Sequence, residues 1–157
     1  MMSIQDLLTK STTPHLLVIG DLILDRYYWG VCTRVSPEAP VPVLQAKRLC
    51  YRPGGAGAVA CMAAALGAKI SLASAIGQDR AGLRLISLLL RRGIDTQAVL
   101  GVRNRITTVK TRFWAASPGR PAQQLLRMDR ERPDPLTPES TRRLQQAISA
   151  CLPSVQA

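Results

Sequence analysis

The chain has 157 residues, of which 46% are hydrophobic, 20% charged and 4% aromatic, which is enough for one domain with a core and excludes a disordered chain. No apolar run approaches the ~20 residues that span a bilayer and no secretory signal is evident, so we expect no membrane segment. The formal net charge of +11 indicates anionic partners, but without an RNA-binding, zinc-finger or basic-zipper motif we do not expect nucleic acid to be one of them.

The first half of the chain alternates between predicted strands and helices. Residues 16–20 form a short apolar run that is typical of a buried parallel strand. The small residues 58–66 predict a tightly packed helix that ends at Gly67, and residues 69–76 predict a second strand. The sequence thus begins as a strand–helix–strand series.

A second predicted helix follows this series. Asp79 is its expected N-cap, and Leu83, Ile86, Leu89 and Leu90 are expected to share its apolar face. The order strand, helix, strand, helix predicts an α/β fold in which helices cover a parallel sheet.

Two segments interrupt this alternation. Residues 27–50 contain three prolines between Pro37 and Pro42, which exclude a helix and a central strand, so we expect loops and edge strands there. Residues 106–114 alternate in polarity and predict antiparallel strands that continue through 124–128 after a turn at 117–121. Both segments are predicted to stand off the main sheet.

The end of the chain contains one more predicted helix, at about 138–150, with Thr137 as its N-cap. Residues 155–157 look like the start of another strand. Because the alternation would continue from this point, we expect the 157 residues to be the N-terminal part of one larger domain. Residues 1–14 are expected to form a short leader with one helical turn.

The cysteines and the single histidine indicate no metal site. The four cysteines form no CxxC pair, and His15 is expected to be solvated just before the first strand. Buried reduced thiols are the expected state of the cysteines, which favours a cytoplasmic protein.

Two carboxylates and a pair of glycines are the first candidates for a ligand site. Asp21 and Asp25 follow the first strand, where open α/β sheets bind ligands, and carboxylates accept strong hydrogen bonds from sugar hydroxyls. Gly54 and Gly55 let the backbone approach a ligand at a helix start. The alternatives are that Asp21 only caps the following turn while Asp25 is solvated, and that the glycine pair only begins a helix. The spacing leaves these alternatives open.

Two basic residues are the next candidates. Lys110 and Arg112 lie on one face of a predicted strand, roughly 7 Å apart, which suits an anionic group such as a sugar phosphate. A solvated strand face is the alternative interpretation. The run Gly55-Ala-Gly57 matches part of a dinucleotide-binding fingerprint, but it does not follow a buried strand, which disfavours a nicotinamide enzyme.

These motifs resemble the PfkB/ribokinase family of sugar kinases, and within it the heptose-7-phosphate kinase branch, the kinase part of bifunctional ADP-heptose synthases. The passages that carry the resemblance are residues 18–30, 34–43, 52–56, 106–112 and 124–129. The resemblance implies a ribokinase-like three-layer α/β domain, with a β-clasp lid formed by residues of about 26–51 and 102–128. It also implies a homodimer that associates through this lid.

The resemblance implies a reaction as well: ATP, with Mg²⁺, phosphorylates a sugar phosphate on the way to a lipopolysaccharide precursor. Two aspartates and two glycines match the positions that hold the sugar, and one of the two basic residues is expected to attract its phosphate. These residues are Asp21, Asp25, Gly54, Gly55, Lys110 and Arg112.

The sequence departs from the family pattern in two places. Ala58 stands where the family has an asparagine that contacts a sugar hydroxyl. The Gly-Ala-Gly-Asp turn that carries the catalytic base and the nucleotide site in the family does not occur in these 157 residues. We therefore expect no catalytic residue, no bound ATP or Mg²⁺ and no activity of this chain alone. The alternatives are a non-catalytic dimerising remnant and a basic polyanion-binding module.

Overall fold

A computed structural model describes residues 13–117, 119–132 and 134–157, and nearly all of the leader expected at 1–14 lies outside them. The strands in these residues are β1 (His15–Ile19), β2 (Leu22–Val35), β3 (Pro42–Gly55), β4 (Lys69–Gly77), β5 (Val99–Val102), β6 (Thr108–Ser117) and β7 (Arg120–Arg130). The helices are α1 (Ala56–Ala65), α2 (Arg80–Leu90) and α3 (Pro138–Cys151), followed by a 3₁₀ turn at Leu152–Ser154.

The first sheet is parallel, in the order β1-β4-β5, as the alternation of strands and helices predicted. Its central strand β4 is the most buried, since Leu72 and Ala73 are 0% exposed. The short strand β5 was not predicted. His15 was expected to be solvated, but it is half-buried at the start of β1, where its Nε2 lies 3.0 Å from Ser71 Oγ.

The last residues of the chain lie along the free edge of β1. The N–H of Gln156 donates to the carbonyl of His15 (2.8 Å), and the N–H of Leu17 donates to the carbonyl of Ala157 (2.7 Å). The strand predicted at 155–157 is therefore present as a hydrogen-bonded extended segment, although it is not long enough to form a regular strand.

The second sheet has the order β3-β2-β6-β7 and mixed pairing: β2 is antiparallel to β3 and parallel to β6, and β6 is antiparallel to β7. The prediction of loops and edge strands over 27–50 was wrong for β2, which is an inner strand of 14 residues. The prolines do not prevent this, because Pro37 and Pro40 lie in the turn and Pro42 begins the edge strand β3.

The core lies between the base of the second sheet, β4 and the helices. Leu24 of β2, Leu72 of β4 and Leu85 of α2 are all buried there. The apolar face predicted for α2 was partly wrong, since Leu83 is 73% and Leu90 55% exposed. The buried residues of α2 are Gly82, Leu85 and Leu89. The buried face is therefore offset by about one residue from the predicted face, although Leu89 was predicted correctly.

Both predicted helix caps are confirmed. Asp79 Oδ1 accepts a hydrogen bond from the N–H of Gly82 (2.8 Å) at the start of α2, and Thr137 Oγ1 accepts one from the N–H of Ser140 (3.2 Å) at the start of α3. None of the helices in the described residues has the length and apolar composition needed to cross a membrane.

Candidate functional site

The end of β1 meets the start of α1 through a backbone contact. Only Gly20 and Asp21 separate β1 from β2, and the carbonyl of Asp21 accepts a hydrogen bond from the N–H of Ala56 (2.9 Å). Gly55, the N-cap of α1, has φ 58°, and a side chain there would also collide with the Asp21 carbonyl. This position therefore requires glycine, and the structure brings Asp21 and Gly55 together.

The Asp25 carboxylate lies against the other glycine. A Cβ added to Gly54 would be 2.5 Å from Asp25 Oδ2 and 3.0 Å from its Cγ, so a side chain at Gly54 would displace the carboxylate. The first turn of α1 begins directly after the glycine pair and contains no acidic residue and no side-chain cap. The N–H of Ala56 is taken by the Asp21 carbonyl, and the N–H groups that follow it in this turn are left for a bound ligand.

Arg112 holds the other oxygen of Asp25. Its Nη1 donates to Asp25 Oδ1 at 2.5 Å, and the two side chains are only 21% and 16% exposed. The hydrogen bond to Asp25 raises the pKa of Arg112 above its usual value, so the guanidinium stays charged. Arg112 also lies 5.3 Å from the centre of the Tyr27 ring. Its charge is thus already paired within the protein.

Strand pairing places four charged residues in one row across the second sheet. Asp25 of β2 is opposite Arg52 of β3 on one side and Lys110 of β6 on the other, and Lys110 is opposite Asp129 of β7. Positive and negative groups alternate along the row. Opposite charges at directly paired positions stabilise a sheet, and together they form a polar surface suited to hydroxyl and phosphate groups.

This row borders a cleft of about 260 Å³ at the junction of the two sheets. Asp21 and Lys110 line the cleft, together with Ile23 and Thr108 from the same face of the second sheet. Asp25, Gly54 and Arg112 lie further along that face and do not line the cleft. Of the six predicted site residues, the structure therefore places two in the cleft and the remaining four beside it.

The sequence analysis missed Arg105, Glu131 and Arg132, which line the cleft, and Arg52 and Asp129 of the charged row. Arg52 and Asp129 each pair with the neighbouring strand of a hairpin, and the two hairpins come together only through the pairing of β2 with β6. One local signal for Arg52 was available, since it directly precedes the Pro53-Gly54-Gly55 motif. Ala58, in the first turn of α1, offers only a methyl group on the side where an asparagine would present an amide.

No residues here are assigned to a metal or a nucleotide. Across residues 13–117, 119–132 and 134–157, no three His, Cys, Asp or Glu side chains come together in a way that would hold a metal ion. The arrangement instead presents carboxylates, backbone N–H groups and basic side chains, of which Lys110, Arg105 and Arg132 line the cleft. Groups of these types can hydrogen-bond to hydroxyls and to an anionic substituent.

The parallel sheet, the glycine pair beside two aspartates and the second sheet that rises from the same junction define a ribokinase-like fold. Solved structures with this fold include a carbohydrate kinase from Agrobacterium tumefaciens, with a TM-score of 0.55, 18% identity and coverage of 74% of this chain and 35% of that chain. Another is ribokinase from Arabidopsis thaliana complexed with ribose and ATP, with a TM-score of 0.51, 21% identity and coverage of 73% and 36%.

The family model of pfkB family carbohydrate kinases matches residues 13–122, and the chain belongs to this family. Among curated relatives it is 44% identical to the bifunctional protein HldE of Magnetococcus marinus over 142 residues, which are 90% of this chain and 28% of the relative. It is 46% identical to HldE of Helicobacter pylori strain J99 over 85% of this chain and 28% of the relative. The chain thus spans less than a third of the length of these relatives.

Proposed function

We propose that this chain forms the sugar-binding part of a cytoplasmic heptose-7-phosphate kinase, which transfers a phosphoryl group from ATP, with Mg²⁺, to a sugar hydroxyl in ADP-heptose synthesis for lipopolysaccharide. The carrying observation is that Asp21 and Asp25 both lie against the Gly54–Gly55 pair beside one cleft. The identity with HldE proteins over most of the chain supports the choice of sugar.

We assign different roles to the two basic residues. Arg112 is bonded to Asp25, so it fixes the carboxylate and keeps it available as an acceptor for sugar hydroxyls. Lys110 lines the cleft, and no ion pair joins it to a carboxylate within the described part of the chain. We therefore assign the sugar's phosphate to Lys110 and a positioning role to Arg112.

We assign the second sheet the role of a lid, with the outer parts of β2 and β6 as the contact with a second copy of the chain. Two stacked aromatic pairs support this assignment: the ring centres of Tyr28 and Phe113 are 5.2 Å apart, and those of Trp29 and Trp114 are 5.1 Å apart. Rigid aromatic surface of this kind is enriched at protein interfaces.

The chain by itself is proposed to bind the sugar phosphate without phosphorylating it. The family's catalytic base and nucleotide turn, Gly-Ala-Gly-Asp, is absent from the 157 residues, and phosphoryl transfer depends on such positioned groups. ATP-dependent turnover of heptose 7-phosphate by the purified chain would contradict this part of the proposal.

Calorimetry with heptose 7-phosphate and the unphosphorylated heptose tests the binding site. We expect Lys110→Gln to weaken binding of the phosphate by about tenfold and to leave the weaker binding of the free sugar unchanged, because only one charge-assisted contact is lost. Asp25→Asn should weaken both sugars. Lys47→Gln, at an exposed position of β3, is the matched control.

Equal affinities for the wild type and Lys110→Gln would remove Lys110 from the site. Absence of heat with either sugar, combined with DNA binding that weakens steeply with salt, would favour the polyanion-binding alternative that the charge of +11 suggests.

A further inference from the structure

A second cavity lies on the opposite face of the four-stranded sheet, between that face and α2, and has a volume of about 400 Å³. Two arginines from the sheet and two from the beginning of α2 line it: Arg26, Arg130, Arg80 and Arg84. Arg26 and Arg130 directly follow Asp25 and Asp129 on their strands, and successive side chains of a strand point to opposite faces. This arginine cavity is therefore separate from the substrate cleft.

No carboxylate in the described residues forms an ion pair with any of the four arginines. The ion pairs found there join other arginines, Arg112, Arg127 and Arg132, to aspartates. Asp79, at the start of α2, does not line the cavity, but the charge of Arg130 helps to lower its pKa, so Arg130 is partly offset. The charges of Arg26, Arg80 and Arg84 are thus left for a ligand.

Two of the guanidinium groups are held in place by uncharged partners. Arg84 stacks over the Tyr51 ring, 4.4 Å from its centre, and Arg26 Nε donates a hydrogen bond to Thr111 Oγ1 (3.0 Å). Thr111 is itself only 1% exposed, so this anchor is fixed in the core. Such contacts reduce the side-chain entropy that binding would otherwise cost, and they leave the charge intact.

We propose that the arginine cavity binds a small phosphate-bearing molecule. Planar guanidinium groups match phosphate oxygens in pairs, and four arginines line one cavity whose lining contains no carboxylate. Leu24, Ala81 and Val109 provide apolar surface for the body of the ligand. The position between a sheet and a helix favours a small molecule over an extended nucleic-acid strand, which needs a long basic groove.

Titration calorimetry of the full 157-residue chain with pyrophosphate at low salt tests this proposal. Arg84→Gln and, separately, Arg80→Gln should each weaken binding by about tenfold, since each removes one charge-assisted contact. Arg142→Gln should bind like the wild type, because it removes an exposed arginine of α3 that lines no described cavity. Lys110→Gln should keep the binding that depends on Arg80 and Arg84, because Lys110 lies in the substrate cleft. Circular dichroism confirms that each variant is folded.

Three results would overturn the proposal. The first is an absence of pyrophosphate binding by the wild type. The second is equal affinity of the wild type and both α2 variants. The third is loss of binding in Lys110→Gln, which would place the anion in the substrate cleft. If the wild type binds a short DNA duplex through Arg84 but does not bind pyrophosphate, the proposal is also overturned, and the arginines would bind nucleic acid instead.

Discussion

The ion pair between Asp25 and Arg112 joins strands β2 and β6 across 87 positions of sequence, and its removal should destabilise the whole fold. The two side chains are 16% and 21% exposed, so water screens the pair only weakly. A charge-assisted hydrogen bond in such surroundings contributes about 1.5–3 kcal/mol. We therefore expect Asp25→Asn, which preserves the shape beside Gly54, to lower the free energy of unfolding by about 2 kcal/mol.

Urea denaturation of four proteins measures this effect: the wild type, Asp25→Asn, Arg112→Gln and the double variant. The double-mutant cycle should give a coupling energy of about 1.5 kcal/mol or more. Each single variant should also melt roughly 4–8 °C below the wild type, given a shift of about 2–4 °C per kcal/mol for a chain of this size. The pair Arg132–Asp134 is the control, because its side chains are 59% and 58% exposed.

The control pair should contribute less than about 1 kcal/mol, as exposed pairs do. If the coupling between Asp25 and Arg112 is no larger than that between Arg132 and Asp134, burial does not strengthen the pair and the reasoning fails. The assignment of Arg112 as the residue that positions Asp25 would fail with it.

Two further predictions concern Gly54 and the helix cap Asp79. Gly54→Ala should cost about 1–3 kcal/mol in unfolding experiments, because the new Cβ would lie 2.5 Å from Asp25 Oδ2; Gly101→Ala, whose Cβ would be 3.3 Å from a flexible glutamine, is the control, and equal losses would contradict the argument. Burial alone would raise the pKa of Asp79, but its hydrogen bonds, including that from Thr107, outweigh burial and lower it. A carboxylate whose pKa is lowered on folding stabilises the fold at pH values above its unfolded-state pKa of about 3.9. This stabilisation is lost as the pH falls through its pKa in the folded state. The stability gap between wild type and Asp79→Asn should thus be full at pH 7 and shrink below about pH 4, and a pH-independent gap would refute this cause.

Much of the parallel part of the fold follows from local signals in the sequence. Asp79 and Thr137 mark helix starts because each side chain caps N–H groups only a few residues away. Residues 16–20 are apolar on both faces and residues 69–76 are mostly apolar, as is typical of strands between two helix layers. The structure confirms these elements to within a residue or two.

The arrangement of the second sheet is not contained in such local signals. β2 pairs in parallel with β6, and residues about 85 positions apart face each other, so neither segment alone specifies its partner. The charged row depends on the same pairing: Arg52 and Asp129 lie on different hairpins and come into one row only in the folded sheet. The exposure of Leu83 likewise depends on which face of α2 packs against the sheet, and this is set by tertiary packing and not by the helix sequence alone.

The short connections between the two sheets make their junction a mechanical pivot. β1 passes into β2 through two residues, β3 passes directly into α1, and the hydrogen bond from Ala56 to Asp21 fastens the two crossings together. The other two connections of the four-stranded sheet, residues 103–107 and 131–137, are longer. If this sheet moves as the proposed lid, it would therefore pivot near Asp21 and the glycine pair, and entry of a substrate would be linked to the orientation of the groups proposed to bind it.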